Sequence, residues 1–124
     1  MRILVIEDQP EILQNIADYL ELQGYLVDCA YDGLGGMHLA VTEPFDLIIL
    51  DLMLPGMDGI TAMKFLQNKP ETQDIPVVAI SANAMPREVK KGLLAGFCDY
   101  LTKPLDLVEF CRVVDEILQG EHTR

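Results

Sequence analysis

The sequence predicts an α/β fold, (βα)5, in which five parallel strands form a doubly wound sheet with helices on both faces. Two observations carry that expectation. Short apolar runs alternate with stretches of helical periodicity along the whole chain. Three of the runs, Ile3–Ile6, Leu47–Leu50 and Val77–Ile80, are apolar at every position rather than at every second one, as strands covered on both faces require. Right-handed crossovers between parallel strands then distribute the helices to the two faces.

Ile3–Ile6 is the first strand. Pro10 stands at the first position of the helix that follows, where its missing N–H removes no hydrogen bond. Ile12, Leu13, Ile16, Ala17 and Leu20 recur at helical spacing, and Gly24 stops the helix. Tyr25–Ala30 reads as the second strand, although Asp28 interrupts it. Gly33–Val41 is expected as the second helix, weakened by Gly35 and Gly36 at about 1 kcal/mol each against alanine. Asp46–Leu50 is the third strand. Pro55, Gly56 and Gly59 mark the loop after it, and Asp58 is placed to cap a helix ending near Asn68. The polar segment Asn68–Asp74 is a surface loop, and Ile75–Ile80 is the fourth strand, with Pro76 tolerated near its start. Pro86 opens a helix that ends near Gly96, Phe97–Leu101 is the fifth strand, and a last helix covers Asp106–Leu118 before Gly120. The expected organisation is one domain over residues 1–120, with 121–124 as a frayed tail.

The 124 residues, 50% of them hydrophobic, suffice for one domain with a core. A net charge of −11 argues against direct contact with nucleic acid or with anionic membrane surfaces. No stretch reaches the roughly 18 apolar residues that span a bilayer. The apolar run after Arg2 ends at Glu7, too short for a secretory signal, so a cytoplasmic protein is expected. Cys29, Cys98 and Cys111 are odd in number, widely spaced and without a C-x-x-C pair, which favours buried structural thiols over zinc or disulfides.

Chemistry concentrates where the strands end. Glu7-Asp8, Asp51, Ser81 and Lys103 follow the first, third, fourth and fifth strands, so a parallel sheet brings all of them to one edge, where ligands of open α/β sheets bind. Glu7 and Asp8 alone read equally well as acids complementing a helix N-terminus. Ser81 alone reads as a turn or cap residue, and Lys103 before Pro104 as an ordinary turn. Together they form a charge set. Three carboxylates without a counter-ion would raise one another's pKa values. Mg2+ resolves this, because it takes oxygen ligands, uses one or two carboxylates and accepts phosphate oxygens. Glu7, Asp8 and Asp51 give −3, and Mg2+ with Lys103 gives +3, leaving a near-neutral pocket able to admit a phosphoryl group.

With these residues the chain resembles a response-regulator receiver domain over nearly its full length. The resemblance rests on Glu7-Asp8, the run from Asp51 through Leu52, Met53, Leu54, Pro55, Gly56, Met57 and Asp58 to Gly59, Ser81-Ala82, and Lys103-Pro104 with Tyr100 before it. Each piece is weak alone, and their order, each after its own strand, is specific. The resemblance implies a flavodoxin-like strand order 2-1-3-4-5 and a phosphoacceptor switch of a two-component phosphorelay. It implies phosphorylation of Asp51 by the phosphohistidine of a histidine kinase or a histidine-phosphotransfer domain. Asp8, Asp51 and the Met53 carbonyl would ligate Mg2+, with Glu7 acting through water and Mn2+ able to substitute. Ser81 and Lys103 would each contact a phosphoryl oxygen, and the Lys103–Pro104 bond would be cis. Ser81, small Ala82 and Tyr100 would form the switch: Ser81 moves toward the phosphoryl group, Tyr100 turns into the vacated space, and the surface of the fourth helix, fifth strand and fifth helix changes. Without the resemblance, Tyr100 reads as a fixed, half-buried ring.

The pattern departs from the family in two places. Ser81 keeps a hydroxyl where threonine is common. Val113 stands ten residues after Lys103, where winged-helix transcription-factor receivers carry arginine; their phosphorylation-dependent dimer is therefore disfavoured, leaving a monomer or weak dimer. The run Ser81–Pro86 is closer to receivers attached to hybrid histidine kinases, and a stand-alone regulator stays equally open. His38 and His122 lack a phosphodonor context. The downstream target is not written in the residues. A metal-dependent phosphohydrolase with an aspartyl intermediate is the main alternative, but Met53 occupies the place of its second aspartate. A flavin-binding module would need a Ser/Thr/Gly-rich loop where Glu7-Asp8-Gln9-Pro10 stands.

Overall fold

The computed structural model describes residues 1–121. Ten elements alternate along the chain: β1 (Arg2–Ile6), α1 (Pro10–Leu22), β2 (Leu26–Ala30), α2 (Gly33–Thr42), β3 (Leu47–Asp51), α3 (Gly59–Gln67), β4 (Val77–Ser81), α4 (Pro86–Leu94), β5 (Asp99–Thr102) and α5 (Leu107–Leu118). The strands form one parallel sheet in the order β2-β1-β3-β4-β5. This is the expected (βα)5 fold and strand order.

The all-apolar strands are explained by two cores. Leu4, Ile6, Ile48, Leu50, Val77 and Ala79 pack with buried residues of α2 and α3. Their neighbours Ile3, Val5, Leu47, Ile49, Val78 and Ile80 pack on the other face with Leu13, Ile16 and Leu20 of α1 and Phe110 and Val114 of α5. The two-residue period of a strand therefore divides one apolar run between two layers.

Helix starts follow the capping chemistry of the sequence. The side chains of Asp32, Asp58 and Asp106 accept hydrogen bonds from first-turn amides of α2, α3 and α5. Gly24, at φ 95°, takes the left-handed turn that ends α1. The Tyr25 amide still bonds to Leu20 O, so β2 starts one residue later than expected. Its hydroxyl donates to Asp115 on α5. Burial and the Asp115 carboxylate push the Tyr25 phenol up to about 12. β5 starts two residues late for a similar reason, because the Gly96 and Phe97 amides bond back to Leu93 O and Gly92 O. β4 starts at Val77 and α4 ends at Leu94, each two residues inside the expected limits.

The second helix forms despite its glycines, and packing supplies the reason. A Cβ on Gly36 would lie 2.6 Å from Ile6 Cδ1, so α2 meets β1 closely only because that side chain is missing. The cysteines are all free, but only Cys111 is buried; Cys29 and Cys98 are half-buried. Burial raises the Cys98 thiol to about 11, consistent with an inert role. His38 is exposed on α2, and His122 and most of the 121–124 tail lie outside the described residues. Among the described residues no helix is long and apolar enough to cross a membrane.

Asp28, the residue that interrupts the second strand, is a partner for β1. Arg2 donates to it through Nε at 3.0 Å and Nη2 at 2.8 Å, and the guanidinium lies 4.9 Å from the centre of the Phe45 ring. The Arg2 hydrogen bond lowers the Asp28 pKa, against an opposing desolvation effect. A carboxylate whose folded pKa is depressed stabilises the fold above its unfolded pKa of about 3.9, and that contribution is lost as pH falls through the folded value.

Two outcomes are expected. Gly36→Ala destabilises by about 1–3 kcal/mol in urea unfolding, through overpacking that outweighs its helix propensity; a stabilised variant would contradict the packing account. Asp28→Asn lowers stability by about 1 kcal/mol at pH 7, and the gap to wild type narrows as pH drops from 5 toward 3. A gap independent of pH would remove the ion pair as its cause.

Candidate functional site

The sheet register fixes the site. Ile6 pairs with Leu50, Asp51 with Ile80 and Ser81 with Thr102. Asp51 and Ser81 are therefore the last residues of their strands rather than the first residues beyond them. The ladder extends that far because Leu52 N donates to Ile80 O and Lys103 N to Ser81 O. Glu7 and Asp8 follow β1 directly, with Glu7 N bonded to Ala30 O.

One oxygen each from Glu7, Asp8 and Asp51 lies within 4.8 Å of the others. Glu7 is 0% exposed and Asp51 2%. Lys103 Nζ reaches in from the fifth strand, 2.6 Å from Glu7 Oε1 and 3.2 Å from Asp51 Oδ2. The lysine thus stands between two buried carboxylates, bonded to Asp51. Its contact with Glu7 is a charge pair, since Glu7 Oε1 makes no aligned hydrogen bond. Desolvation pushes the Glu7 carboxyl up to about 7, and the neighbouring Asp51 carboxylate adds to this; Lys103 acts the other way. Burial works to lower the Lys103 pKa, but the Glu7 and Asp51 carboxylates outweigh it and the net shift is upward. The Lys103–Pro104 peptide is cis.

The donor set fits a hard divalent cation: three carboxylates, all oxygen ligands, one of them with a buried oxygen lacking a hydrogen bond. Met53 N donates to Asp51 Oδ1 at 2.9 Å, which fixes the carboxylate plane. The Met53 side chain is 62% exposed and offers no acid or base beside Asp51.

Ser81 and Tyr100 meet through a residue that sequence reasoning missed. Asn83 N donates to Ser81 Oγ at 3.1 Å, and Asn83 O accepts from the Tyr100 hydroxyl at 2.7 Å. The ring is 5% exposed. The resemblance implies that Tyr100 turns inward once Ser81 moves; in this structure the ring is already inside, held by that hydroxyl bond. Ala82 is exposed on the same loop. The available signal for Asn83 was its place two residues before Met85: its side chain accepts from Met85 N at 3.0 Å and so builds the turn that leads into Pro86.

This geometry agrees with what the chain is similar to. The family model described as "Response regulator receiver domain" matches residues 3–115. The chain belongs to the response regulator receiver domain family. It is 42% identical over 118 residues to the DNA-binding dual master transcriptional regulator RpaA of Synechocystis, covering 95% of this chain and 49% of that protein. It is 40% identical over 124 residues to the transcriptional activator protein IrlR of Burkholderia pseudomallei, covering 100% and 53%. The receiver domain thus spans about half the length of these curated relatives. Among solved structures, it superposes on the Francisella response regulator 1452 receiver domain with a TM-score of 0.90, at 31% identity and 98% coverage of both chains. It matches the receiver domain of the sensor histidine kinase PA1611 of Pseudomonas aeruginosa with a TM-score of 0.86 and 30% identity, covering 95% and 97%. That structure carries a magnesium ion coordinated in its active-site cleft. The receiver domain is a regulatory phosphoacceptor module of two-component systems.

Glu7→Gln is expected to weaken Mg2+ binding by about tenfold, the lower end of what a supporting group in a metal site contributes, measured by isothermal titration calorimetry. An unchanged affinity would take Glu7 out of the metal's surroundings.

Proposed function

We propose that this receiver domain, residues 1–120, takes a phosphoryl group onto Asp51 from the phosphohistidine of a histidine kinase or a histidine-phosphotransfer domain. The observation that carries this reading is the Lys103 ammonium 3.2 Å from a buried Asp51 carboxylate, inside a cluster of three acids. In the transfer, an Asp51 oxygen bonds to phosphorus, the phosphorus–nitrogen bond breaks, and the imidazole keeps the electron pair. Phosphoryl transfer of this kind needs positioning and charge neutralisation more than covalent help from the protein.

Asp8, Asp51 and the backbone carbonyl of Met53 would hold Mg2+, with Glu7 acting on it through water and Mn2+ able to replace it. The bound cation supplies positive charge to the phosphoryl oxygens. The chain's own groups do the rest. Met53 N–H holds the Asp51 carboxylate in plane. Lys103 exchanges part of its contact with Glu7 for a phosphoryl oxygen. Ser81 Oγ accepts from Asn83 N, which leaves its proton free to donate to another phosphoryl oxygen. Because Asn83 also holds Tyr100, a shift of Ser81, Ala82 and Asn83 is felt by the ring and by the α4-β5-α5 surface. A bias of a few kcal/mol suffices for such a two-state surface. Exposed, apolar Met53 supplies no base to activate water, which favours slow self-dephosphorylation and speaks against the phosphohydrolase alternative. The charge of −11 supports a domain that makes no nucleic-acid or anionic-membrane contact of its own; in this reading the domain is cytoplasmic, monomeric or weakly dimeric, and acts on a protein target.

Incubation with acetyl phosphate and Mg2+, borohydride trapping and mass spectrometry are expected to locate label on Asp51, and Asp51→Asn to abolish it. Label on another residue would sink the assignment. Sustained turnover of phosphate monoesters would instead favour the hydrolase.

A further inference from the structure

Helix α4 rests on the core through half-buried Val89 and Leu93. Its only fully buried residue is Gly92, where a glycine is a poorer helix former than alanine. A Cβ at that position would lie 2.9 Å from Tyr100 Cδ2 and 3.2 Å from Cε2. The ring cannot slide away freely, since its backbone is paired in β5 with Ala79 and its hydroxyl is bonded to Asn83 O. The helix has little freedom at its far end, where Gln67 Nε2 donates to Ala95 O at 3.1 Å. At its near end no side chain caps it, and the preceding loop is held by Asn83. Gly92, Tyr100, Asn83 and Ser81 line one cleft of about 140 Å3.

We propose that Gly92 is a positioning residue: the missing side chain admits the Tyr100 ring beneath α4, and the seated ring holds Asn83, hence the loop in which Ser81 is oriented. A methyl group at 92 must displace the ring or lift the uncapped end of α4, and both routes break the Tyr100–Asn83 bond. This rests on the switch reading above for its functional meaning, while the steric part stands apart from it.

The test uses the whole chain labelled with fluorotyrosine, which reports four tyrosines; the Tyr100 resonance is assigned by its loss in Tyr100→Phe. Gly92→Ala is expected to move the Tyr100 fluorine resonance and the Asn83 amide resonance while leaving Tyr19, Tyr25 and Tyr31 in place. In urea unfolding it should shift the equilibrium roughly tenfold toward the unfolded chain. In a Tyr100→Ala background the same substitution should shift it about fivefold toward the folded chain, because only helix propensity then acts. An unmoved Tyr100 resonance, or the same sign of effect in both backgrounds, overturns the proposal. Should Gly92→Ala not fold, a folded Gly92→Ala/Tyr100→Ala double variant supports it and an unfolded one overturns it. Labelling of Asp51 by acetyl phosphate should be several-fold slower in Gly92→Ala; a displaced ring with an unchanged rate overturns the link to Ser81. None of the ring measurements needs a phosphoryl group, so failure of wild type to label Asp51 counts against the phosphoacceptor reading alone.

Discussion

Two carboxylates buried at one edge of a sheet demand a cation between them, and the Lys103 ammonium meets that demand. Removing Glu7 and Asp51 from water costs several kcal/mol for each ion unless the charge is paired. One lysine serves both, at 2.6 and 3.2 Å, and it does so incompletely: Glu7 is pushed up to about 7, and one of its oxygens has no aligned hydrogen bond. The deficit gives the site its chemical character. With Asp8 included, the charges of the four groups sum to −2 when all are ionised. A phosphoryl group alone would meet repulsion there, whereas a divalent cation relieves it. In the proposed reading, the same acids that strain the edge electrostatically would make entry of a phosphate conditional on a metal.

That clamp depends on backbone register. Lys103 reaches Asp51 because β3, β4 and β5 end level, with Asp51 opposite Ile80 and Ser81 opposite Thr102. A slip of one residue would turn every strand side chain to the other face, exposing one apolar core and moving Asp51 off the edge. The two cores that divide Leu47–Leu50 between them therefore also align the site.

This division explains what the sequence could and could not reveal. Apolar runs, helical periodicity and the Asp58 cap are local signals, and they marked five strands, five helices and the edge residues Glu7, Asp8, Asp51, Ser81 and Lys103. Strand ends were blurred by a residue or two because the last pairs, Leu52 N to Ile80 O and Lys103 N to Ser81 O, are settled by the neighbouring strand. Gly36 read as a defect in α2 because its reason, Ile6 at 2.6 Å, lies 30 positions earlier. Tyr100 read as a ring awaiting space because nothing local announces its bond to the Asn83 carbonyl. Backbone acceptors carry no residue signature, so the partner of a buried tyrosine hydroxyl is a tertiary fact.

The contrast between α4 and the other helices bears on how a charge change at Asp51 could travel. The helices α1 and α5 each bury four residues, and α4 buries one, a glycine. Apolar burial contributes about 25 cal/mol per Å2, so α4 is held less firmly: by half-buried Val89 and Leu93 on the core, the Tyr100 ring packed against Gly92, the Asn83 bonds at one end and the Gln67–Ala95 bond at the other. Regions with few buried apolar contacts open at low free energy. Hydrogen bonds of this kind contribute about 1 kcal/mol each, so rearranging one or two of them is enough to change how α4 sits. The rigid edge beside Asp51 and the lightly held helix beyond Ser81 are joined through Asn83, whose amide faces one and whose carbonyl faces the other.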